Sequence, residues 1–160
     1  MAQRAGNKIA LLLLALLFLA AIFVWRLSED PQFISQFIGS ANLVGTTITI
    51  HSSRISVSVA DTEAERVQGL SGVKSLPDGT GLLMKFDTDG SPGIWMKDML
   101  FPIDIVWIDS NWKVLQVTPS VSPNSYPKVF YPDSNIRYVL ELPAGYSDIH
   151  NIEAGNTVEH

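Results

Sequence analysis

Cysteine is absent from the 160 residues. With it go disulfides, thiolate metal sites, a cysteine nucleophile and a lipid-modified N-terminal cysteine. Histidine is nearly as scarce: His51, His150 and His160 are the three, and they show no ligand spacing. No phosphate loop is present, because Gly79-Thr80-Gly81 is a turn with no Gly-Lys-Ser/Thr after it. No Ser/His/Asp order can be singled out either. Cofactors and metals are therefore not expected. Positive charge is scarce in the body of the chain. All 16 acidic residues follow Leu27, while Arg4, Lys8 and Arg26 of the 11 basic ones precede it. The rest carries eight basic residues against sixteen acidic ones, a net charge of −8. That balance argues against nucleic acid as a partner, since binding it needs Lys and Arg to replace phosphate counterions. It also argues against a domain lying flat on an anionic bilayer.

What is present begins with one long apolar run. Between Lys8 and Arg26 stand 17 uncharged residues, Ile9 to Trp25. As a helix they span roughly 26 Å, a little short of the ~30 Å hydrocarbon core. Lys8 and Arg26 can snorkel to the two interfaces, and Trp25 suits the headgroup level. A cleavable signal peptide would need small residues after the run, where Phe23-Val24-Trp25-Arg26-Leu27 stands instead. The expectation is an uncleaved signal anchor over 9–27. The positive-inside rule leaves residues 1–8 in the cytoplasm and everything beyond the anchor outside it. Residues 28–45 read as a juxtamembrane linker, and 46–160 as the extracytoplasmic domain.

The most informative stretch of that domain is Gly93 to Asp109, where Lys97, Asp98 and Asp104 interrupt an apolar run. Alternation puts Ile103, Ile105 and Trp107 on one face of a strand, and Asp104, Val106 and Ile108 on the other. Both faces are apolar, so this is a central strand covered on both sides, with Asp104 an anomaly in need of partners. Around it, Thr46–Ala60 predicts one broken strand or a hairpin turning about His51-Ser52-Ser53-Arg54. Thr62 and Glu65 form a capping-box pattern opening a helix that ends near Gly69 and packs on the sheet. Gly81–Phe86 is a strand and Asp87–Pro92 a loop. Trp112–Thr118 runs back as a hairpin partner. Four prolines make 119–132 a lid, flap or irregular edge. Arg137–Leu142 is the last strong strand, with Tyr138, Leu140 and Leu142 on one face and Val139 and Glu141 on the other. The sum is mainly β: a jelly-roll-like sandwich or partly closed barrel with one or two short helices, and not a βαβ fold.

A run of short motifs in order carries a resemblance. They include Glu65-Arg66, Gln68-Gly69-Leu70, Gly81-Leu82-Leu83-Met84-Lys85-Phe86, Trp95-Met96-Lys97-Asp98, Pro102-Ile103-Asp104-Ile105, Trp107-Ile108-Asp109 and Tyr138-Val139-Leu140-Glu141-Leu142. From about Ile55 to Val158 the chain resembles the domain-of-unknown-function 192 family, also called uncharacterised protein family 0127. The resemblance implies a jelly-roll β-sandwich, often behind an N-terminal membrane segment, and no settled activity. The family's usual Asn-Thr after Trp-Met-Lys is Asp98-Met99 here, and its frequent loop cysteine is missing.

The candidate site residues are Arg66, Trp95, Lys97, Asp98, Asp104 and Glu141. One reading makes them a salt-bridge cluster fixing strand register, with Arg66 bridging Asp104 or Glu141. A second makes them a pocket for a small polar or carbohydrate-like ligand or an envelope partner. A third is a carboxylate pair acting on envelope glycans. Met84, Met96 and Met99 are soft metal donors in principle, though Met beside Trp in a strand is chiefly core filling. Trp95, Trp107 and Trp112 offer a sugar-stacking shelf, against a core role for at least two of them.

Overall fold

The computed structural model describes residues 46–160; the expected anchor and linker lie outside them. Among the described residues no helix is long and apolar enough to cross a membrane. The elements are β1 (Thr46–Ile50), β2 (Ser53–Ala60), α1 (Glu63–Gln68), β3 (Thr80–Gly90), β4 (Ile94–Trp95), β5 (Ile103–Ile108), β6 (Val114–Val121), β7 (Val129–Phe130), β8 (Ile136–Pro143), α2 (Tyr146–Ile149) and β9 (Val158–Glu159). A 3-10 turn at Pro123–Ser125 lies between β6 and β7.

Seven strands form one sheet in the order β6-β5-β8-β3-β2-β1-β9, and β4 pairs with β7 in a separate ribbon. All neighbours are antiparallel except β2 and β3, which run parallel from Ser56↔Thr80 to Ala60↔Met84. Parallel neighbours need a crossover, and α1 with the turn after it supplies one. The expectation of a fold without a βαβ unit is corrected at that single pair.

The two outer strands meet where the sheet curls. Val114 N donates to Asn156 O at 2.9 Å, Val158 N donates to Trp112 O at 2.8 Å, and Lys113 bridges Thr157. A sandwich needs two facing sheets of similar size, and the second sheet here is a ribbon of two residues per strand. The observed form is a curled, half-barrel sheet. Of the two expected forms this is the partly closed barrel with two short helices, and not the jelly-roll sandwich.

Strand alternation builds two cores, one on each face. The inner core gathers Ile48, Ile50, Ile55, Val57, Val106, Ile108 and Leu140 among others. Trp112 stacks between Tyr138 and His160 at 3.9 and 4.0 Å between ring centroids and packs against this core. The outer core takes Leu82, Met84, Ile105, Trp107 and Val139 from the sheet, and Leu70, Ile94, Met96 and Met99 from the segments lying over it. All six residues of β5 are buried, with the face assignment expected from its sequence. Helix α1 departs from expectation: it buries none of its residues and sits at the rim. The expected 87–92 loop is also shorter, because β3 continues to Gly90. There Asp89 accepts from Arg137 Nε of β8 at 2.7 Å, a cross-strand ion pair. The proline-rich stretch is an edge: Pro119 ends up in β6, and Val129–Phe130 pairs with β4.

Asp104 is fully buried on the inner face, and backbone amides supply its partners. Its Oδ1 accepts from Ser120 N at 2.8 Å and Gly145 N at 3.0 Å, and its Oδ2 from Ser147 N at 2.9 Å. One carboxylate thereby ties β5 to the end of β6 and to the first turn of α2. Ser120 holds a φ of +52° and Gly145 one of +82°, so both corners are bent where the carboxylate grips them. Asp104→Ala removes the acceptor and strands these amides, and should cost about 3–5 kcal/mol. Urea unfolding measures it; a midpoint equal to that of the wild type would rule the tie out.

Candidate functional site

The groove is built from α1, the turn after it and the segment following β4. Helix α1 starts with both halves of its capping box: Glu65 N donates to Thr62 Oγ1 at 3.2 Å, and Thr62 N to Glu65 Oε2 at 3.0 Å. The Thr62 amide foremost, and then the Thr62 hydroxyl, which donates to the same Oε2, hold the Glu65 carboxyl below its ordinary pKa. The helix stops at Gly69, whose φ of 49° and ψ of −132° lie outside the left-handed helical region expected there and suit glycine alone. The chain then turns back, with Ser71 N donating to Gln68 O at 3.0 Å.

Facing this exit is the turn Met96-Lys97-Asp98-Met99, in which Met99 N reaches Met96 O at 3.4 Å. Asp98 has a φ of +56°, a region that Asn and Asp enter more readily than other non-glycine residues. Met96 and Met99 are buried in the outer core and root the turn, which leaves Lys97 and Asp98 exposed. The methionines thus act as filler. Ser71 Oγ donates to Lys97 O at 2.9 Å and Gly72 N to Asp98 O at 2.9 Å. Two backbone segments distant in sequence are locked together.

Between them lies a cleft of ≈ 380 Å³, lined by Val67 and Gln68 of α1, Ser71 and Gly72 of the turn, and Trp95, Lys97 and Asp98 opposite. Val67 is 63% exposed and Trp95 46%, so the cleft has two apolar walls open to solvent. Among the described residues neither the Lys97 ammonium nor the Asp98 carboxylate has a salt-bridge partner; the ion pair found there joins Arg137 and Asp89.

Three of the six expected site residues therefore meet, and three do not. Arg66 turns away from the cleft. Its Nη1 donates to Asp61 O at 2.6 Å and Lys85 O at 2.7 Å, and its guanidinium lies 5.2 Å from the centre of the Phe86 ring. It pairs with no carboxylate among the described residues. Asp104 and Glu141 cannot share a cation, because they point to opposite faces of the sheet. Asp104 is alternate to Ile103 and Ile105 of the outer core, whereas Glu141 pairs across strands with Leu82 and Ile105 of that same core. Conversely, Val67, Gln68, Ser71 and Gly72 went unnoticed in the sequence. The visible signal was the Gln68-Gly69-Leu70 motif, whose glycine marks the reversal that brings them to the turn.

Glu141 is the other unusual carboxyl. It is 3% exposed, and its Oε2 has no hydrogen-bond partner. In the same cross-sheet row, one strand beyond Leu82, stands Ser58, whose Oγ is also buried and unpartnered. Burial pushes the Glu141 carboxyl up to about 8, so it is chiefly protonated at neutral pH. The folded chain keeps a proton that the unfolded chain, with its ordinary value of 4.5, releases. Stability is fullest below the unfolded value and falls as pH rises toward 8. Glu141→Gln should abolish that slope and raise the melting temperature at pH 8, by several kcal/mol in ΔG. Thermal unfolding of both proteins across this window is the measurement; parallel curves would contradict it.

The curled sheet over two cores, with a cleft at its rim, defines a small β domain. A protein of unknown function from Novosphingobium aromaticivorans DSM 12444 superposes with a TM-score of 0.69 at 21% identity, covering 72% of this chain and 85% of that one. A candidate transcription regulator from Sinorhizobium meliloti 1021 gives a TM-score of 0.68 at 23% identity, covering 71% and 91%. At such identities the likeness concerns the fold. Residues 46–160 match the family model described as "Uncharacterized ACR, COG1430", DUF192, and the chain belongs to that family. The UPF0127 protein TK1120 of Thermococcus kodakarensis is 28% identical over 102 residues, 64% of this chain and 62% of that protein. A UPF0127 protein of Thermococcus sibiricus is 28% identical over 104 residues, 64% of each. The chain thus matches less than two thirds of the length of these curated relatives.

Proposed function

We propose that the domain is a binding module for a small polar, carbohydrate-like ligand, held outside the cytoplasm by an uncleaved signal anchor over residues 9–27. The observation that carries the binding reading is the convergence of Trp95, Lys97 and Asp98 with Val67 and Gln68 around one open cleft. Trp95 and Val67 offer apolar faces, while an ammonium, a carboxylate and an amide stand at the rim. Such a mixture orients a ligand without an obvious reacting group. Glycan hydrolysis is less well supported. It requires two carboxyl groups facing each other across the substrate, and the cleft lining contains a single carboxylate, Asp98.

The full-length chain in detergent micelles should bind neutral monosaccharides saturably, as read by calorimetry. Trp95→Ala should weaken that binding about tenfold, roughly 1.4 kcal/mol, with an unchanged melting temperature. Asp98→Asn keeps a residue suited to positive φ and tests the charge alone. Wild-type protein that binds neither sugars nor other small polar ligands would overturn the reading.

The anchor has its own test. The basic residues before the apolar run support a domain outside the cytoplasm, so protease added to cells stripped of any outer layer should digest residues 46–160. A protected domain, or a mature N-terminus near Pro31, would refute the location.

A further inference from the structure

Trp95 closes the cleft on the side of the β4–β7 ribbon, and a second exposed ring stands beyond it. Alternation carried one residue back from β4 puts Gly93 and Trp95 on one face, and Trp95 pairs with Val129 of β7. A side chain at Gly93 would meet Val129 Cγ1 at 2.5 Å and Tyr131 Cε1 at 2.8 Å. Tyr131 therefore occupies the space that glycine leaves empty and rests against the backbone of position 93. It is nevertheless 58% exposed. A ring supported by the main chain on one side and open to water on the other is a shelf. Trp95 and Tyr131 stand diagonally across the ribbon, at the roughly 7–8 Å that separates such positions. A second flat surface thus continues the line of the cleft.

From this we infer that the occupant is a chain of neutral pyranose units, with one unit in the cleft against Trp95 and the next over Tyr131. The inference rests on the proposed binding reading and deepens it. Charge supports a neutral occupant: Lys97 and Asp98 balance each other, and the nearby Lys128 ammonium already lies 4.6 Å over the Phe130 ring. Sugar rings present C–H faces to an aromatic plane and hydroxyls to the rim, which matches the division of apolar floor and polar edge here. A peptide is less well served. Adding a strand requires a run of free backbone, and β4 and β7 offer two residues each.

The test titrates the full-length chain, in a detergent without a sugar headgroup, with β-1,4-linked N-acetylglucosamine and glucose oligomers of increasing length. Affinity should rise about tenfold from one unit to three. Tyr131→Ala should erase that gain and leave single-unit binding unchanged, while Tyr131→Phe should retain it. Equal affinity for one unit and three, or a length gain that survives Tyr131→Ala, would overturn the chain-ligand inference and leave the cleft reading intact. So would binding of no sugar alongside binding of another small polar molecule, or of extended peptides instead. Single-unit binding that is indifferent to Trp95→Ala would instead remove the cleft itself as the site.

Discussion

A carboxylate taken wholly out of water must have its lone pairs occupied, and Asp104 satisfies that demand with the main chain. No side-chain cation is involved, so the contact is insensitive to the surface charge of this acidic domain. The amides it gathers come from the end of β6 and from the corner between β8 and α2, on either side of β5 in the sheet. That geometry fixes α2 over the inner core at one end of β5, where Tyr146 is buried. At the other end of β5, Ile108 stands beside Tyr138, and the stack of Tyr138, Trp112 and His160 covers the core. The barrel-like interior is closed by different chemistry at each end.

On the outer face the division of labour is different. Glu141 and Ser58 leave polar atoms without partners inside an apolar layer, an arrangement that costs stability. The same layer roots the turn that walls the cleft through Met96 and Met99, so the cleft rests on the less comfortable of the two cores. The open cleft and the closed interior draw on separate sets of side chains, since no residue lining the cleft belongs to the seven-stranded sheet. Substitutions at the cleft are therefore expected to leave the inner core untouched.

What could be read in the sequence was what depends on near neighbours. The two faces of β5 and β8 follow from period-two alternation, the capping box from a four-residue pattern, and the β1–β2 hairpin from a turn between two runs. Where distant segments decide, the reading failed. The partner of Arg66 depended on which face of the sheet α1 lies near, and the helix proved to bury nothing. Asp104 and Glu141 looked equivalent as acids on apolar strands, but strand register sends them to opposite faces. The curl was ambiguous because alternation says which residues face a core, and not whether that core is shared with a second sheet. Ser71 and Gly72 join the cleft through hydrogen bonds to the carbonyls of Lys97 and Asp98, which have no signature in either segment.

The pairing of β1 with β9 has a kinetic side. Thr49 lies opposite Glu159, so the opening strand of the described domain finds its last neighbour in the closing one. Loop closure across such a separation comes late, and domains dominated by remote pairings fold slowly. During synthesis the first hairpin would wait with one edge bare until the end of the chain arrived. An exposed edge is an invitation to pair with the wrong chain. Thr46, Thr47 and Thr49 make that waiting strand partly polar, and β9 is short enough to dock as a final latch.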